Sequence, residues 1–275
     1  MRACSSLLLP GLFLGATVIA CASAAPPPEG NPEGPASTEP PAAAPMPTVE
    51  PPAPVASAAP SAVPSAAPEP APPAEPPPLP KDTTVLHVGD SMADALGSKL
   101  SPMLRELGIK APLEAKEATY IPQWAGFKMK FQQHLGYHEP DLVIVTLGGN
   151  ETAMPTPADR IEPIQRMVKQ IGDTPCIWIA APLWPGAKHS GILDVIRENC
   201  APCIYVDTNE LIEPKMKVLG DGIHPTIPER RRWARYMINW LRAARDPNGP
   251  KPWSLKKEED IVAPPSEPPP PESKK

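Results

Sequence analysis

The chain of 275 residues is poor in aromatic side chains, with six Trp, four Tyr and three Phe. Eleven of these 13 lie between Tyr120 and Trp240, so the side chains best able to anchor a core sit in one stretch. Residues 25–80 contain no basic residue and almost nothing large and apolar. That excludes a packed domain there, because such a segment cannot offset the entropy lost on folding. Long hydrophobic runs are missing too. The longest, residues 7–20, is shorter than the roughly 20 residues that a membrane-spanning helix requires. No repeat with a period of about 20–50 residues is present, which excludes solenoid architectures. Basic residues form no stripe: residues 81–250 hold 20 Lys and Arg against 20 Asp and Glu, which argues against nucleic acid as a partner.

What the sequence has in excess is proline. Of 46 prolines, 22 lie in residues 25–80, seven in residues 251–275 and one at Pro10, leaving 16 for residues 81–250. The six Glu of residues 25–80 also account for the net charge of -5 almost alone. Four segments follow. Residues 1–24 read as a signal peptide with a thin positive start at Arg2, an apolar stretch, and small residues after it. Ala22-Ser23-Ala24 suits ordinary signal removal, whereas Val18-Ile19-Ala20-Cys21 resembles the lipobox of bacterial lipoproteins, in which the cysteine is lipidated. Either reading places the protein outside the cytoplasm, and the second, preferred one attaches it to the cell envelope through a lipid on Cys21. Residues 25–80 are expected to be a disordered Pro/Ala-rich linker of polyproline character. Residues 81–255 form the domain, and residues 256–275 are expected to be a disordered tail.

Within the domain, short continuous apolar runs at 85–88, 142–147, 176–180 and 203–206 have the pattern of strands buried on both faces. A weaker candidate covers 112–118. Helical spacing covers 93–107, 126–135, 157–171, 192–199 and 227–244. In the last of these, Trp233, Tyr236, Met237, Trp240 and Leu241 mark one apolar face, and Thr226 with Glu229 has the form of a capping box. Alternating strands and helices predict an α/β fold with a five-stranded parallel sheet and helices on both sides.

In such sheets ligands bind beyond the carboxyl ends of the strands. Three segments fall there: Gly89-Asp90-Ser91, Gly148-Gly149-Asn150 and Asp221-Gly222-Ile223-His224-Pro225. They contain what acyl transfer from an ester needs. A serine becomes nucleophilic when an imidazole takes its proton, a carboxylate fixes the imidazole's tautomer, and preorganised donors hold the oxyanion. Ser91, His224, Asp221 and Asn150 are the candidates. Taken singly, each motif also has a structural reading, as a helix cap or a turn.

Together, in this order, the three motifs resemble three of the four blocks of the SGNH (GDSL-type) hydrolases. The resemblance covers the domain. It implies a flavodoxin-like three-layer sandwich and ester hydrolysis without metal or cofactor. It makes Ser91 the nucleophile, His224 the base and Asp221 its orienting partner, with Asn150 and the Ser91 N–H in the oxyanion hole. One block departs: where the family has a glycine after the second strand, this chain has Ala118-Thr119-Tyr120-Ile121-Pro122-Gln123-Trp124. Thr119 or Tyr120 is the expected source of a backbone N–H there. Glu151 stands after Asn150 where Asp is commoner.

Cys176, Cys200 and Cys203 remain for the domain, and an oxidising compartment predicts one disulfide among them, with the pairing open. Cys200-Ala-Pro-Cys203 has no second pair to complete a zinc site. His87, His134, His138 and His189 read as surface or core residues, with His189 also placed at the site edge of the sheet. Trp124 and Trp184 fall in loops where they could stack on a sugar. Arg230-Arg231-Arg232 reads as a solvated face. The expected partner is an ester or acylated glycan, with hydrolysis of small acyl groups as the activity. An O-acyltransferase acting on a polysaccharide with the same triad, and an envelope-binding lipoprotein with a decayed site, are the rivals.

Overall fold

The computed structural model describes residues 77–269, so the signal peptide, Cys21 and most of the linker lie outside the described residues. Five strands form one parallel sheet: β1 (Val85–Gly89), β2 (Leu113–Ala115), β3 (Leu142–Thr146), β4 (Cys176–Ile179) and β5 (Ile204–Val206). Their spatial order is β2-β1-β3-β4-β5. The helices are α1 (Ser91–Glu106), α2 (Ile121–Ala125), α3 (Phe131–His138), α4 (Ile161–Ile171), α5 (Ile192–Asn199), α6 (Thr208–Leu211) and α7 (Ile227–Ala244). This is the flavodoxin-like order.

The three inner strands are buried along their whole length, which is why they read as unbroken apolar runs. Alternate side chains serve opposite faces. Val85, Ile144, Ile177 and Ile179 pack beneath α1 and α7, against Leu96, Leu100, Trp233 and Met237. Leu86, Val88, Val143, Val145 and Trp178 face the other layer, with Trp124, Phe131, Ile164 and Ile196 from α2, α3, α4 and α5. Each such fully buried side chain contributes roughly 1.5–3 kcal/mol.

The chain leaves β1 for one edge of the sheet and returns to place β3 on the other side of β1. That reversal opens a crevice between the carboxyl ends of β1 and β3, where a doubly wound sheet binds its ligand. Gly89 makes the turn possible: a Cβ there would lie 2.0 Å from the carbonyl oxygen of Thr146.

Several expectations change. The helix expected over 126–135 begins only at Phe131, after Lys130 in the left-handed region (φ 54°), and a separate short helix, α2, with Pro122 in its first turn and Gly126 at its end, precedes it. The capping box at Thr226 does not form: Glu229 turns inward and binds Arg232 Nε at 2.8 Å. Arg232 is therefore wholly buried rather than part of a solvated face, and it also donates to the carbonyls of Glu213, Pro214 and Glu267. Removing Glu229 would strand a buried charge at a cost of about 3–5 kcal/mol.

Both domain boundaries move outward. Leu79 is buried and Pro78 accepts from Arg245, so the domain begins inside the segment assigned to the linker. The tail expected from residue 256 packs against the domain as far as Glu267, with Ser266 bonding Glu213 and Glu267 pairing with Arg235 at 2.6 Å. Trp253 fixes the start of this arm, its indole N–H donating to Thr83 Oγ1 beneath the sheet.

The disulfide joins Cys176 to Cys203, across the starts of β4 and β5 and at the end of the sheet opposite the crevice. With its ends 27 positions apart in sequence, the bridge contributes about 3–4 kcal/mol by chain-entropy reasoning. Cys200 stays a buried free thiol whose pKa is pushed up to about 12 by burial, which leaves it unreactive. Among the described residues no helix is long and apolar enough to cross a membrane.

Candidate active site

The crevice brings together side chains far apart in sequence. Ser91 opens α1 directly after β1, and His224 comes from the loop before α7, 133 residues later. His224 Nε2 is 2.9 Å from Ser91 Oγ, and its Nδ1 is 2.9 Å from Asp221 Oδ2. With the ring proton on Nδ1, His224 donates to Asp221 and accepts from the Ser91 hydroxyl. Both hydrogen bonds of the triad are in place without any rearrangement.

Asp221 is itself fixed by its own turn, since its Oδ1 accepts the N–H groups of Ile223 and His224 at 2.9 and 3.0 Å. Those N–H groups and the His224 ring lower its pKa to about 2 although the carboxylate is open to water. It is ionised at any working pH, as a carboxylate that stabilises an imidazolium must be.

Asp90, one residue before the nucleophile, lives under the opposite conditions. It is fully buried and caps α1, with Oδ1 accepting the Met92 N–H at 2.8 Å. Burial raises its pKa to about 7, outweighing the N–H groups of Met92, Ala93 and Gly149, and the nearby charge of Glu151 pushes the same way. Asp90, not Ser91, is therefore the N-cap, which leaves the serine hydroxyl free to face His224.

Asn150 reaches the crevice from a single 3-10 turn after β3, Gly149–Glu151. Its Nδ2 donates to the Thr119 carbonyl at 2.9 Å and lies 3.5 Å from Asp90 Oδ2. The first bond fixes the plane of the amide. Ser91, as the first helical residue, has an N–H outside the intrahelical ladder, so two donors of different origin border the nucleophile.

Of the two expected backbone donors, Tyr120 is corrected. Tyr120 N–H is engaged by Gln123 Oε1 at 2.7 Å, in the cap of α2, and Thr119 contributes its carbonyl to Asn150. Neither residue lines the cleft. Thr119 positions the Asn150 donor through its carbonyl. Glu151, which the sequence marks only as a departure from the family pattern, is buried and accepts the Ile121 N–H at 2.7 Å while facing Arg160 at 3.6 Å. Burial raises its pKa. It ties the start of α2 to the Asn150 turn, a role that no local pattern announces.

The cleft has a volume of about 280 Å³ and is lined by Ser91, Asn150 and His224 with Met92, Trp184 and Ile223. Trp184 is the aromatic at the site. Trp124 is buried, its indole N–H donating to Thr119 Oγ1 under the loop, and His189 is exposed and outside the lining. The arrangement offers a serine with a base in contact, a carboxylate behind the base, and an amide donor beside the nucleophile. It can perform nucleophilic acyl transfer.

No protein-family model matches the chain, and no curated protein does. Solved structures do resemble it. One is the crystal structure of TesA, 20% identical, covering 55% of this chain and 94% of its own, with a TM-score of 0.47. Another is a lipase/acylhydrolase from Enterococcus faecalis, 15% identical over 58% and 95% of the two chains, with a TM-score of 0.44. A third is a family 3 carbohydrate esterase from Clostridium thermocellum, 18% identical over 56% and 92%, with a TM-score of 0.40.

Proposed function

We propose that the protein is a serine hydrolase of carboxylic esters of the SGNH type. The observation that carries this reading is the unbroken chain Ser91–His224–Asp221, with both links at 2.9 Å, assembled by a fold that joins a serine to a histidine 133 residues away in sequence. Helix capping explains Asp90 and a turn explains Asp221-Gly222, but neither needs an imidazole between a serine and an ionised carboxylate.

More particularly, it is an esterase that removes small acyl groups from envelope or extracellular glycans, held at the cell envelope by a lipid on Cys21. The modest cleft suits a short acyl chain, and the half-exposed Trp184 beside it offers a face for a sugar ring. The envelope address rests on the sequence of residues 18–21, and the glycan on that address together with Trp184.

The chemistry runs in two halves. Ser91 Oγ attacks the ester carbonyl as its proton passes to His224 Nε2, and the oxyanion is held by Asn150 Nδ2 and the Ser91 N–H. The C–O bond to the alcohol breaks, and His224 gives its proton to the departing oxygen, leaving acyl-Ser91. Water then loses a proton to His224 and attacks the acyl carbon. Collapse releases the carboxylic acid, and Ser91 recovers its proton. Asp221 holds the imidazole orientation throughout.

The test is release of p-nitrophenol from p-nitrophenyl acetate and octanoate by the wild-type protein and by Ser91→Ala. The serine variant should lose at least about 10³-fold in kcat/KM, and acetate should be preferred to octanoate. Equal rates for the two proteins would refute the serine mechanism; preference for the octanoate would refute the small acyl group. Acetate release from acetylated polysaccharides then tests the glycan.

A further inference from the structure

We propose that Glu114, His134 and His138 form a binding site for a divalent transition-metal ion of the zinc type, which clamps helix α3 to the edge strand β2. The site is separate from the serine and its partners, and the inference does not rest on the ester chemistry.

His134 and His138 are four residues apart on α3, so their side chains leave the same face of the helix one turn apart. Their rings lie nearly parallel, with centroids 6.3 Å apart and 14° between the planes. Glu114 comes to them from β2. Its Oε1 is 2.8 Å from His138 Nε2 and 3.5 Å from His134 Nδ1, and one ligand atom from each of the three residues lies within 4.8 Å of the others. A tetrahedral ion bound at about 2.0–2.2 Å keeps its ligands roughly 3.3 Å apart. The His134 contact already has that spacing, and the His138 contact needs to open by only about 0.5 Å to match it.

The donor set decides the class of ion. Two imidazole nitrogens and one carboxylate oxygen suit zinc, cobalt or nickel, whereas calcium and magnesium call for oxygen. Three protein ligands leave a fourth position for water. The side chains are 16% to 32% exposed, shielded enough to favour a bound ion and open enough to admit one.

The surroundings give the ion work to do. Helix α3 buries one side chain, Phe131, and both its flanking residues, Lys130 and Glu139, are non-glycine residues in the left-handed region at φ 54° and 44°. Strand β2 has three residues, none of them fully buried. The ion would join these two weakly held elements. Five residues after Glu114 stands Thr119, whose carbonyl orients Asn150, so the clamp would also steady the arm that leads to the site. In the sequence both histidines look ordinary, because only the fold brings Glu114 to them.

The experiment uses the full chain, stripped of metal with a chelator and titrated with Co²⁺, then with Zn²⁺ as competitor. Binding of one cobalt ion should give the visible absorption of a four- or five-coordinate site without a sulfur-to-metal charge-transfer band, and Zn²⁺ should abolish it and raise the Tm. His134→Ala and Glu114→Gln should each weaken Co²⁺ binding at least about tenfold, while His189→Ala leaves it unchanged; circular dichroism checks that each variant is folded. The proposal is overturned if the wild-type protein gives only the weak spectrum of octahedral cobalt, or if folded His134→Ala or folded Glu114→Gln binds as the wild type does.

Discussion

Two aspartates flank the Ser91–His224 pair, and the fold treats them in opposite ways. Asp90 is sealed beneath the start of α1 with its pKa raised to about 7, while Asp221 lies in an exposed turn with its pKa lowered to about 2. Both accept backbone N–H groups, so hydrogen bonding does not separate them. Burial does: desolvation dominates at Asp90, whereas at Asp221 it is outweighed by the local donors and the imidazole. A carboxylate that must stay charged beside a histidine is better placed in water within a tight turn than inside the protein. A carboxyl group that caps a helix can be buried because Met92, Ala93 and Gly149 meet it.

The largest effect that would test this contrast is on catalysis. Asp221→Asn should lower kcat by about 10³- to 10⁴-fold, because an amide can donate to Nδ1 and hold the wrong tautomer. Stability should hardly change, since the side chain is exposed. Steady-state kinetics with p-nitrophenyl acetate beside urea unfolding separates the two quantities. A loss below tenfold would mean that Asp221 is not the orienting group.

The next effect is on stability and belongs to Asp90. Its folded pKa lies above the ordinary 3.8, so the stability that the protonated carboxyl contributes is complete below about pH 3.8 and is lost as pH rises through about 7. His87, buried with its pKa lowered to about 3, runs the other way: its contribution is present above about pH 6.5 and is lost as pH falls toward 3. The two slopes oppose each other between pH 4 and 6.5, so the difference between proteins isolates Asp90. Relative to the wild type, Asp90→Asn should gain stability from pH 4 to pH 8, on the order of 4 kcal/mol at most, on top of a constant offset for hydrogen bonds that the amide cannot accept. Urea midpoints at the two pH values measure it. A pH-independent difference would show that Asp90 is ionised throughout.

Asn150 stands between the two regimes, with Nδ2 on the Thr119 carbonyl and near Asp90 Oδ2. Asn150→Ala should lower kcat about 10²- to 10³-fold, the usual loss for one oxyanion donor, with KM little changed. A rise in KM at constant kcat would instead assign Asn150 to ground-state binding.

The contrast between the aspartates also marks what the sequence could and could not say. The strands were legible because β1, β3 and β4 are buried on both faces and must be apolar throughout. Ser91, Asn150, Asp221 and His224 were legible because their motifs are local and the fold class assigns them one edge of the sheet. Opposite pKa shifts on Asp90 and Asp221 were not, since they depend on what covers each carboxyl. The same holds for Glu151 reaching Ile121, for Arg232 turning inward to Glu229, and for Cys203 rather than Cys200 meeting Cys176. Pro122 could have announced the start of α2, and Ile261, an apolar residue in a polar stretch that packs against the core, could have extended the domain.

The smallest effect lies in the arm that serves Asn150. Ala118 holds φ 53°, in the left-handed region, next to Thr119 and in the stretch where the resembled family has a glycine. A Cβ in this conformation costs about 1 kcal/mol that glycine does not incur, though glycine also loosens the unfolded chain. Ala118 is exposed, so no packing is lost on removing its methyl group. Ala118→Gly should therefore change stability by no more than about 1 kcal/mol, in the stabilising direction. If the arm acts only by placing the Thr119 carbonyl, kcat should stay within about twofold of the wild type. A large fall in kcat with unchanged stability would mean that the Ala118 methyl group itself shapes the oxyanion side of the cleft, and that the Asp90 half of the site extends further than its hydrogen bonds.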